Sequence, residues 1–209
     1  PIGMEMAQAH RRLGSKVTVL EGEKALGKDD PDLAAIALER LRGEGIEIVE
    51  GALASQVSGG AGDITVETRD GARFHGSHLL VAVGRKVNID RLDLHKAGLE
   101  EENGAVRVDA SLRSPTNRRV YAVGDAAGGL QFTHVASYHA GVVIRSMLLG
   151  LPSKARRDHL PWATFTDPEM AQVGLTEAQA RKAHGDRLTV VRAEFSGNDR
   201  AVATGQTVG

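Results

Sequence analysis

The chain contains no cysteine. Disulfide frameworks and thiolate metal sites are therefore excluded for these residues, and thiol redox chemistry could come only from sequence outside them or from a partner. Aromatic residues are scarce at 3%, whereas glycine occurs 25 times. That balance favours an α/β nucleotide binder with many tight turns over an all-β sandwich. Neither sign of charge is in excess: the net charge is −1 and the pI about 6.8, so bulk electrostatics give no reason to expect a nucleic acid partner. No apolar run approaches the roughly 18 residues of a membrane span; no membrane partner is expected, and a cytoplasmic location is. A P-loop, a nucleophile elbow and an aromatic–basic pattern are also missing. What is present, 41% hydrophobic and 25% charged residues over 209 positions, suits one or two soluble globular units.

Ile2, Met6, Ala9 and Leu13 recur at helical spacing and predict an amphipathic helix over 2–13, stopped by Gly14. Lys16 to Leu20 is a short β-branched strand ending at Glu21. Asp30-Pro31 is an N-cap followed by proline at the first helical position; Leu33, Ile36, Ala37 and Leu41 form the next helical face, closed by Gly45. Ile46 to Val49 is the following strand. The α-β-α-β order is the repeating unit of a parallel sheet with helical crossovers. The pattern then changes: Ile64, Val66 and Thr68 alternate, Asp70-Gly71 gives a two-residue hairpin turn, and Arg73 to His75 returns antiparallel. Leu79 to Val83 and Val120 to Val123 are apolar runs expected as buried strands, the first buried on both faces. An alternating piece runs from Ala105 to Val108. Ala136, Ala140, Val143, Ile144, Met147 and Leu148 form a helical stripe ending at Gly150. Residues 151–160, polar and proline-bearing, read as a linker. Beyond it, Trp162 to Thr166 and Leu188 to Phe195 read as strands, and a capping box at Thr176 to Gln179 opens a helix between them.

Gly3 stands at the start of the first helix, where unpaired N–H groups and a partial positive charge suit a phosphate; the plainer reading is an amphipathic helix with a chance glycine. Glu21 ends the next strand, 18 residues after Gly3. Dinucleotide sites place an acidic residue about 20 residues on, to bind the ribose 2′-OH. A carboxylate there repels a 2′-phosphate, and only Lys24 follows nearby, so NAD is favoured over NADP; the plainer reading is a solvated glutamate at a strand end. Gly124-Asp125 ends the run Val120 to Val123. An aspartate at the carboxyl edge of a parallel strand can accept bonds from ribityl hydroxyls, and an Asx-turn is the alternative. Among eight histidines, the pairs His75/His78 and His134/His139 lack i,i+4 spacing with a carboxylate base, so no metal site is assigned.

Together these residues resemble the pyridine nucleotide-disulfide oxidoreductase family of flavoproteins. Pro1-Ile2-Gly3-Met4-Glu5-Met6-Ala7 is similar to the end of the family's Gly-x-Gly-x-x-Gly-x-Glu-x-Ala/Gly fingerprint, and Leu80 to Arg85 to its Ala-Thr/Ile-Gly-Arg turn. Val120 to Asp125 resembles its second flavin motif. Thr164 to Glu169, with Val173-Gly174 and Thr176-Glu177, resembles the opening of its dimer-interface domain, and Asn198 to Ala201 the Arg-Ala stretch in that domain. The motifs follow the family's order over the whole chain. Leu13 to Leu20 and Gln131 to Ala136 look closest to mercuric-reductase-like members, whereas Glu21 is more like the dihydrolipoamide dehydrogenases.

The resemblance implies an α/β fold in three parts: a Rossmann-like nicotinamide domain with an antiparallel hairpin excursion over residues 1–86, without its first strand; the C-terminal part of an FAD domain over 87–150; and the start of an α+β dimer-interface domain over 151–209. It implies FAD and NAD as cofactors, with NADP the second choice, a homodimer formed through the interface domain, and a small-molecule disulfide, dithiol or metal ion as substrate. By the same resemblance Gly3 supports the pyrophosphate turn, Glu5 bonds the nicotinamide carboxamide, Glu21 holds the adenine ribose, and Val83 and Gly84 line the nicotinamide side. Gly124 and Asp125 serve the flavin ribityl or phosphate region. His134 and Ala136 bring backbone groups and a helix N-terminus near the isoalloxazine, where a dipole stabilises reduced-flavin charge.

Some of the pattern differs. The family's Gly-Arg-x-Pro-Asn reads Gly84-Arg85-Lys86-Val87-Asn88. The first two fingerprint glycines, the redox cysteine pair and the C-terminal His-Glu dyad are not among these residues, so no catalytic residue is assigned and the chain reads as an inert internal fragment. Its parent is expected to pass hydride between nicotinamide and flavin. A nucleotide-sensing or assembly module that kept the fold, and a transhydrogenase without a redox disulfide, are the alternatives. Loss of a first strand exposes apolar sheet surface, so pairing between chains or a rearranged edge is expected.

Overall fold

Two separate hydrophobic clusters organise the chain, and they fall in different compact units: residues 1–83 with 161–209, and residues 84–160. A computed structural model describes all of residues 1–209. The first unit opens with helix α1 (Ile2–Arg12), strand β1 (Thr18–Glu21), helix α2 (Pro31–Gly43) and strand β2 (Glu47–Glu50), the predicted α-β-α-β order. β1 and β2 pair in parallel, from Thr18 opposite Glu47 to Glu21 opposite Glu50. A parallel pair needs a long crossover, which α2 supplies. That helix begins where Asp30 is extended and its carboxylate accepts the Asp32 N–H, with Pro31 pre-setting the first turn.

Both helices bury a face rotated from the one that periodicity alone selects. On α1 the stripe of Ile2, Met6, Ala9 and Leu13 faces solvent, and Met4, Ala7 and Gln8 are buried. On α2, Ala34 and Leu38 join Ala37 and Leu41 inside, while Leu33 is exposed and Ile36 half-buried. The reason on α1 is Gln8. A buried amide is tolerated when all its groups are bonded, and this one is, as described below.

Next comes an antiparallel meander of β3 (Ala54–Gly60), β4 (Asp63–Thr68) and β5 (Arg73–Gly76). β3 was not legible, because its residues are exposed throughout and carry no apolar alternation. Its last turn depends on Gly59 at φ 95°, where an added Cβ would sit 2.1 Å from the Asp63 carbonyl oxygen. Between β4 and β5 the chain passes through four residues, 69–72, rather than two. The Thr68 N–H donates to the Ala72 carbonyl, and Gly71 turns the chain at φ 87°. Leu79 to Val83 is not a buried strand: no strand hydrogen-bonds to it, and Val83 is 92% exposed. An apolar run is buried on both faces only when neighbours cover both.

In the second unit, short strands β6 (Glu101–Glu102) and β7 (Ala105–Val106) pair, and the long helix α3 (Thr133–Leu149) closes the cluster of Ile89, Val106, Leu112, Ala122, Ala127, Val142 and Val143. Val120 to Val123 also departs from expectation. It pairs antiparallel with residues 112–114 through a single bridge, Arg113 to Tyr121, instead of forming a buried parallel strand. Residues 151–160 have no regular structure but are tied down: Ala155 N–H donates to the Ala110 carbonyl, Arg156 N–H to the Tyr138 hydroxyl, and Leu160 is buried.

The first unit resumes with the antiparallel pair β8 (Pro161–Thr164) and β9 (Met170–Val173). Helix α4 (Glu177–His184) starts at the predicted capping box, with reciprocal Thr176 and Gln179 bonds. Leu188 to Phe195 is not a strand: Leu188 to Glu194 pairs with no strand, Leu188 is half-buried and the rest is exposed, and Phe195 opens a one-turn 3-10 helix over Phe195–Gly197. Helix α5 (Asp199–Thr204) is capped by Asn198. No helix is long and apolar enough to cross a membrane.

The segment between β8 and β9 is bound to α1 by polar groups. Gln8 is 4% exposed. Its Oε1 accepts the Asp167 N–H at 2.8 Å, and its Nε2 donates to the Asp167 carbonyl at 2.9 Å and to Glu44 at 3.2 Å. Glu44 also accepts two bonds from Arg12, at 2.7 and 3.0 Å, and one from Arg40 at 2.9 Å. Arg12 extends to Asp167 at 2.7 Å. Met170, on β9, completes the apolar cluster below.

Leu41 is fully buried in that cluster. Leu41→Ala should cost about 2–5 kcal/mol in urea unfolding through lost burial and a cavity; a loss near zero would place Leu41 outside the core. Glu44 gives a pH test. Its carboxyl is held below the ordinary value, first by the Arg12 hydrogen bonds. A carboxylate whose pKa falls on folding stabilises above its unfolded pKa, and that stability is lost as pH falls through the folded value. Glu44→Gln should therefore cost about 1–2 kcal/mol at neutral pH, with the gap to wild type closing on acidification. A gap that stays constant into acid would contradict this.

Candidate functional site

The residues that the sequence singles out fall into two groups, one in each unit. In the first unit, α1 begins at Ile2 with no side chain capping its N-terminus. A Cβ added at Gly3 would lie 3.5 Å from Ala82 Cβ, ordinary contact distance. The helix start therefore packs on the 79–83 segment, although the spacing does not by itself demand glycine. Glu5, one turn on, is half-buried, and its Oε1 accepts the Phe165 N–H at 3.1 Å. Together with Gln8, it fixes residues 165–167 along one side of α1.

Glu21 ends β1. Its Oε1 accepts the Glu23 N–H at 3.0 Å, which orients the carboxylate at the strand's carboxyl edge. Glu50 stands opposite it in register. Glu50 in turn accepts the Ala25 N–H at 2.8 Å and pairs with Arg42 at 3.3 Å. Two carboxylates thus mark the ends of adjacent parallel strands, and one of them has an arginine partner. Val83 ends this unit with its side chain in solvent.

In the second unit, Gly84 has φ 136°, a backbone that favours glycine, with open space where a Cβ would be. Gly124 and Asp125 begin a one-turn 3-10 helix over Gly124–Ala127. Gly124 cannot be replaced there: it has φ 58°, and an added Cβ would come within 2.8 Å of Ala136 Cβ. The Gly128 N–H closes the turn on the Asp125 carbonyl. The Asp125 carboxylate is partly exposed and lies 3.7 Å from Arg85, whose Nη1 also donates to the Gln131 carbonyl at 3.1 Å. α3 starts after Phe132 with no side-chain cap, and the His134 ring stacks on Phe132 at 5.3 Å. Gly124, Asp125 and Ala136 are therefore brought together, with His134 on the same first turn of α3 as Ala136.

Three residues matter here that the sequence reading did not select. Gln8 and Arg85 hold site residues or their surroundings, as above. The third is His139, 4% exposed, whose Nδ1 accepts the Gly124 N–H at 3.1 Å. Its pKa is pushed below the ordinary imidazole value, first by burial and then by the charge of Arg157. His139 lies three residues after Ala136 on the same helical face, but that spacing alone does not separate it from a solvated histidine. No cluster of three or more His, Asp or Glu gathers where a metal could be held. An open groove of about 1050 Å³ lies elsewhere, between the C-terminal ends of α1 and α2 beside Arg12, Arg40 and Glu44.

The pyridine nucleotide-disulphide oxidoreductase profile matches residues 1–140, and the dimerisation domain of the same family matches residues 160–209. A mercuric reductase from Bacillus cereus is 38% identical over 87% of this chain and 29% of its own length. A dihydrolipoyl dehydrogenase from Bacillus subtilis is 33% identical over the whole chain and 45% of its own length. Among solved structures, a Cu(II) complex of the HOCl-induced flavoprotein disulfide reductase RclA from Escherichia coli superposes with a TM-score of 0.88 at 32% identity, covering 100% of this chain and 47% of that one. LpdA from Mycobacterium tuberculosis superposes with a TM-score of 0.90 at 26% identity, covering 99% and 45%. The chain thus spans less than half the length of these relatives. With a family profile over residues 1–140 and relatives above 30% identity across nearly all of it, the chain belongs to the pyridine nucleotide-disulphide oxidoreductase family.

Proposed function

We propose that this chain supplies the nicotinamide-binding fold and the returning flavin segment of an FAD-dependent, NAD-linked oxidoreductase. That enzyme passes hydride between nicotinamide and flavin, and electrons to or from a disulfide, a dithiol or a metal ion. Residues 1–86 form the nicotinamide part, 87–150 the flavin part, and 151–209 begin the interface through which two copies associate. With no cysteine among the 209 residues, this chain's share of the reaction is binding and orientation.

The observation that carries the reading is the Gly124–Asp125 turn. A glycine that admits no Cβ places a partly exposed carboxylate beside a helix start that no side chain caps. Hydroxyl groups can donate to such a carboxylate, and the positive end of a helix dipole suits phosphate or developing negative charge. These donors and acceptors fit FAD, which when bound supplies the two-electron chemistry. Asp125 is the acceptor for ribityl hydroxyls, Gly124 allows close backbone approach, and His134 and Ala136 set the first turn of α3 toward the reduced ring's charge.

The nicotinamide half rests on Gly3, Glu5, Glu21 and Val83. The start of α1 fits a pyrophosphate, and Glu21, oriented by the Glu23 N–H, fits a ribose diol. A 2′-phosphate brought to the same edge meets Glu21 with Glu50 in register beside it, so NAD is preferred to NADP. Glu5 has one oxygen committed to Phe165 and bonds the nicotinamide carboxamide with the other.

Calorimetric titration of the chain should show NADH binding more tightly than NADPH, with Glu21→Ala reducing that preference about tenfold, the equivalent of one charge-assisted bond. Tighter NADPH binding would refute the cofactor choice. For the flavin half, Asp125→Ala should weaken FAD binding by roughly 10- to 100-fold, the range for a hydrogen bond to a charged group, read by quenching of flavin fluorescence. Unchanged affinity would remove Asp125 from the site.

A further inference from the structure

We propose that His139 is a positioning residue that sets the Gly124–Asp125 turn through its unprotonated Nδ1, so that the turn is held only while the imidazole is neutral. A backbone N–H can only donate. The 3.1 Å contact from the Gly124 N–H to Nδ1 therefore requires a lone pair on Nδ1 and places the ring proton on Nε2. Protonation would set one N–H against another. Both partners are buried, so a separated Gly124 amide would be left without an acceptor in a place that water does not reach.

The surrounding geometry makes this bond decisive for the turn. α3 meets Gly124 twice from one face: Ala136 occupies the volume a Cβ would need, and His139, one helical turn on, holds the amide. The first contact only excludes, whereas the second attracts. Without the second, the hydrogen bond that ties the Gly124 backbone to α3 is lost, and the Asp125 carboxylate, the next residue, loses that reference to the helix. The charged groups near the ring act in the same sense. Arg157, on the segment after α3, opposes a second positive charge there. Tyr138, on the same helix, lies 5.9 Å from the ring and separates it from His159, which packs edge-on against the tyrosine. Across the turn, Asp125 is already paired with Arg85. Between the folded pKa and the ordinary imidazole value, the unfolded chain binds more protons than the folded one. The bond's contribution is therefore present at neutral and higher pH and is lost as pH falls through the folded value.

The consequence for flavin rests on the reading of Asp125 given above, while the His139 contact does not, and the two are tested separately. In ¹⁵N NMR of the chain, His139 should be in the Nε2–H tautomer at neutral pH. It should titrate below the ordinary imidazole value, and the Gly124 amide should shift with the same midpoint. His139→Asn keeps an acceptor in the Nδ1 position; it should preserve the neutral-pH Gly124 shift and abolish its pH step. His139→Leu should displace that shift at every pH. An Nδ1–H tautomer, a Gly124 amide that ignores the His139 titration, or a leucine variant with a wild-type Gly124 shift would each overturn the proposal. FAD affinity is the second readout. It should fall about tenfold across the His139 titration in wild type and stay level in the asparagine variant. If FAD fails to bind at any pH while the coupled Gly124 step persists, the flavin reading fails and the His139 device stands.

Discussion

Gln8 and Asp167 trade both backbone hydrogen bonds of Asp167 for both polar ends of one buried amide, and most of the first unit depends on that exchange. A strand neighbour would satisfy a backbone N–H and C=O in the same two-sided way; here a helix side chain does so. The exchange brings residues 165–167 against α1, places Phe165 over Glu5 and carries β9 to the point where Met170 joins the apolar cluster. A buried amide left unbonded costs more than its bonds return, so the segment cannot slide by a residue without paying on both sides. The charged groups beyond it, Arg12, Glu44, Arg40 and Asp167, form one network. Exposed ion pairs taken singly are weak. This one has a centre, because Glu44 is mostly shielded and accepts from three side chains.

The second unit solves a similar problem by a different route. Its turn at Gly124 is held by steric exclusion from Ala136 and attraction from His139, both on α3. The first unit presents helix and strand ends to a ligand with side-chain carboxylates already oriented by backbone N–H groups, as at Glu21 and Glu5. The second presents a backbone turn whose carboxylate is balanced by Arg85. In both, a protein N–H or guanidinium stands where a ligand donor could compete. Such pre-organisation lowers the ordering cost of binding, since the carboxylate does not have to be fixed afresh.

Element order was legible where the signal is local. Asp30-Pro31 and the Thr176–Gln179 capping box each opened a helix at the stated position, because a cap is decided by a handful of neighbouring atoms. What failed were inferences whose distant partner the local pattern does not announce; the parallel β1–β2 pair, implied by the α-β-α-β order, did form. The buried face of α1 was misread because a glutamine scores as polar until its partner, far along the chain, is known. Leu79 to Val83 and Leu188 to Phe195 have strand composition but no strand to pair with. Gly124 and Asp125 were singled out by their motif and Gly3 by its place at a helix start. His139 was not, because a histidine in a helix has no periodic signature that separates a solvated ring from one that accepts a backbone N–H.

A groove alone is a poor guide to this molecule. The open one beside α1 and α2 borders Arg12, Arg40 and Glu44, whose charges are already spent on one another, with the Glu44 carboxyl held low and Arg12 held high by the same bonds. A ligand entering there would have to break a network that stabilises the fold. At Asp125 the balance is different. Its single arginine partner stands 3.7 Å away and both side chains are about half in solvent, so exchanging that contact for a ligand hydroxyl costs little. The same comparison separates Glu21 from Glu50: Glu50 is tied to Arg42 and to the Ala25 N–H, whereas Glu21 is fixed only by its near neighbour Glu23. A binding carboxylate has to be oriented without being consumed, and among the acidic residues at these strand ends and turns Glu21 and Asp125 meet that condition.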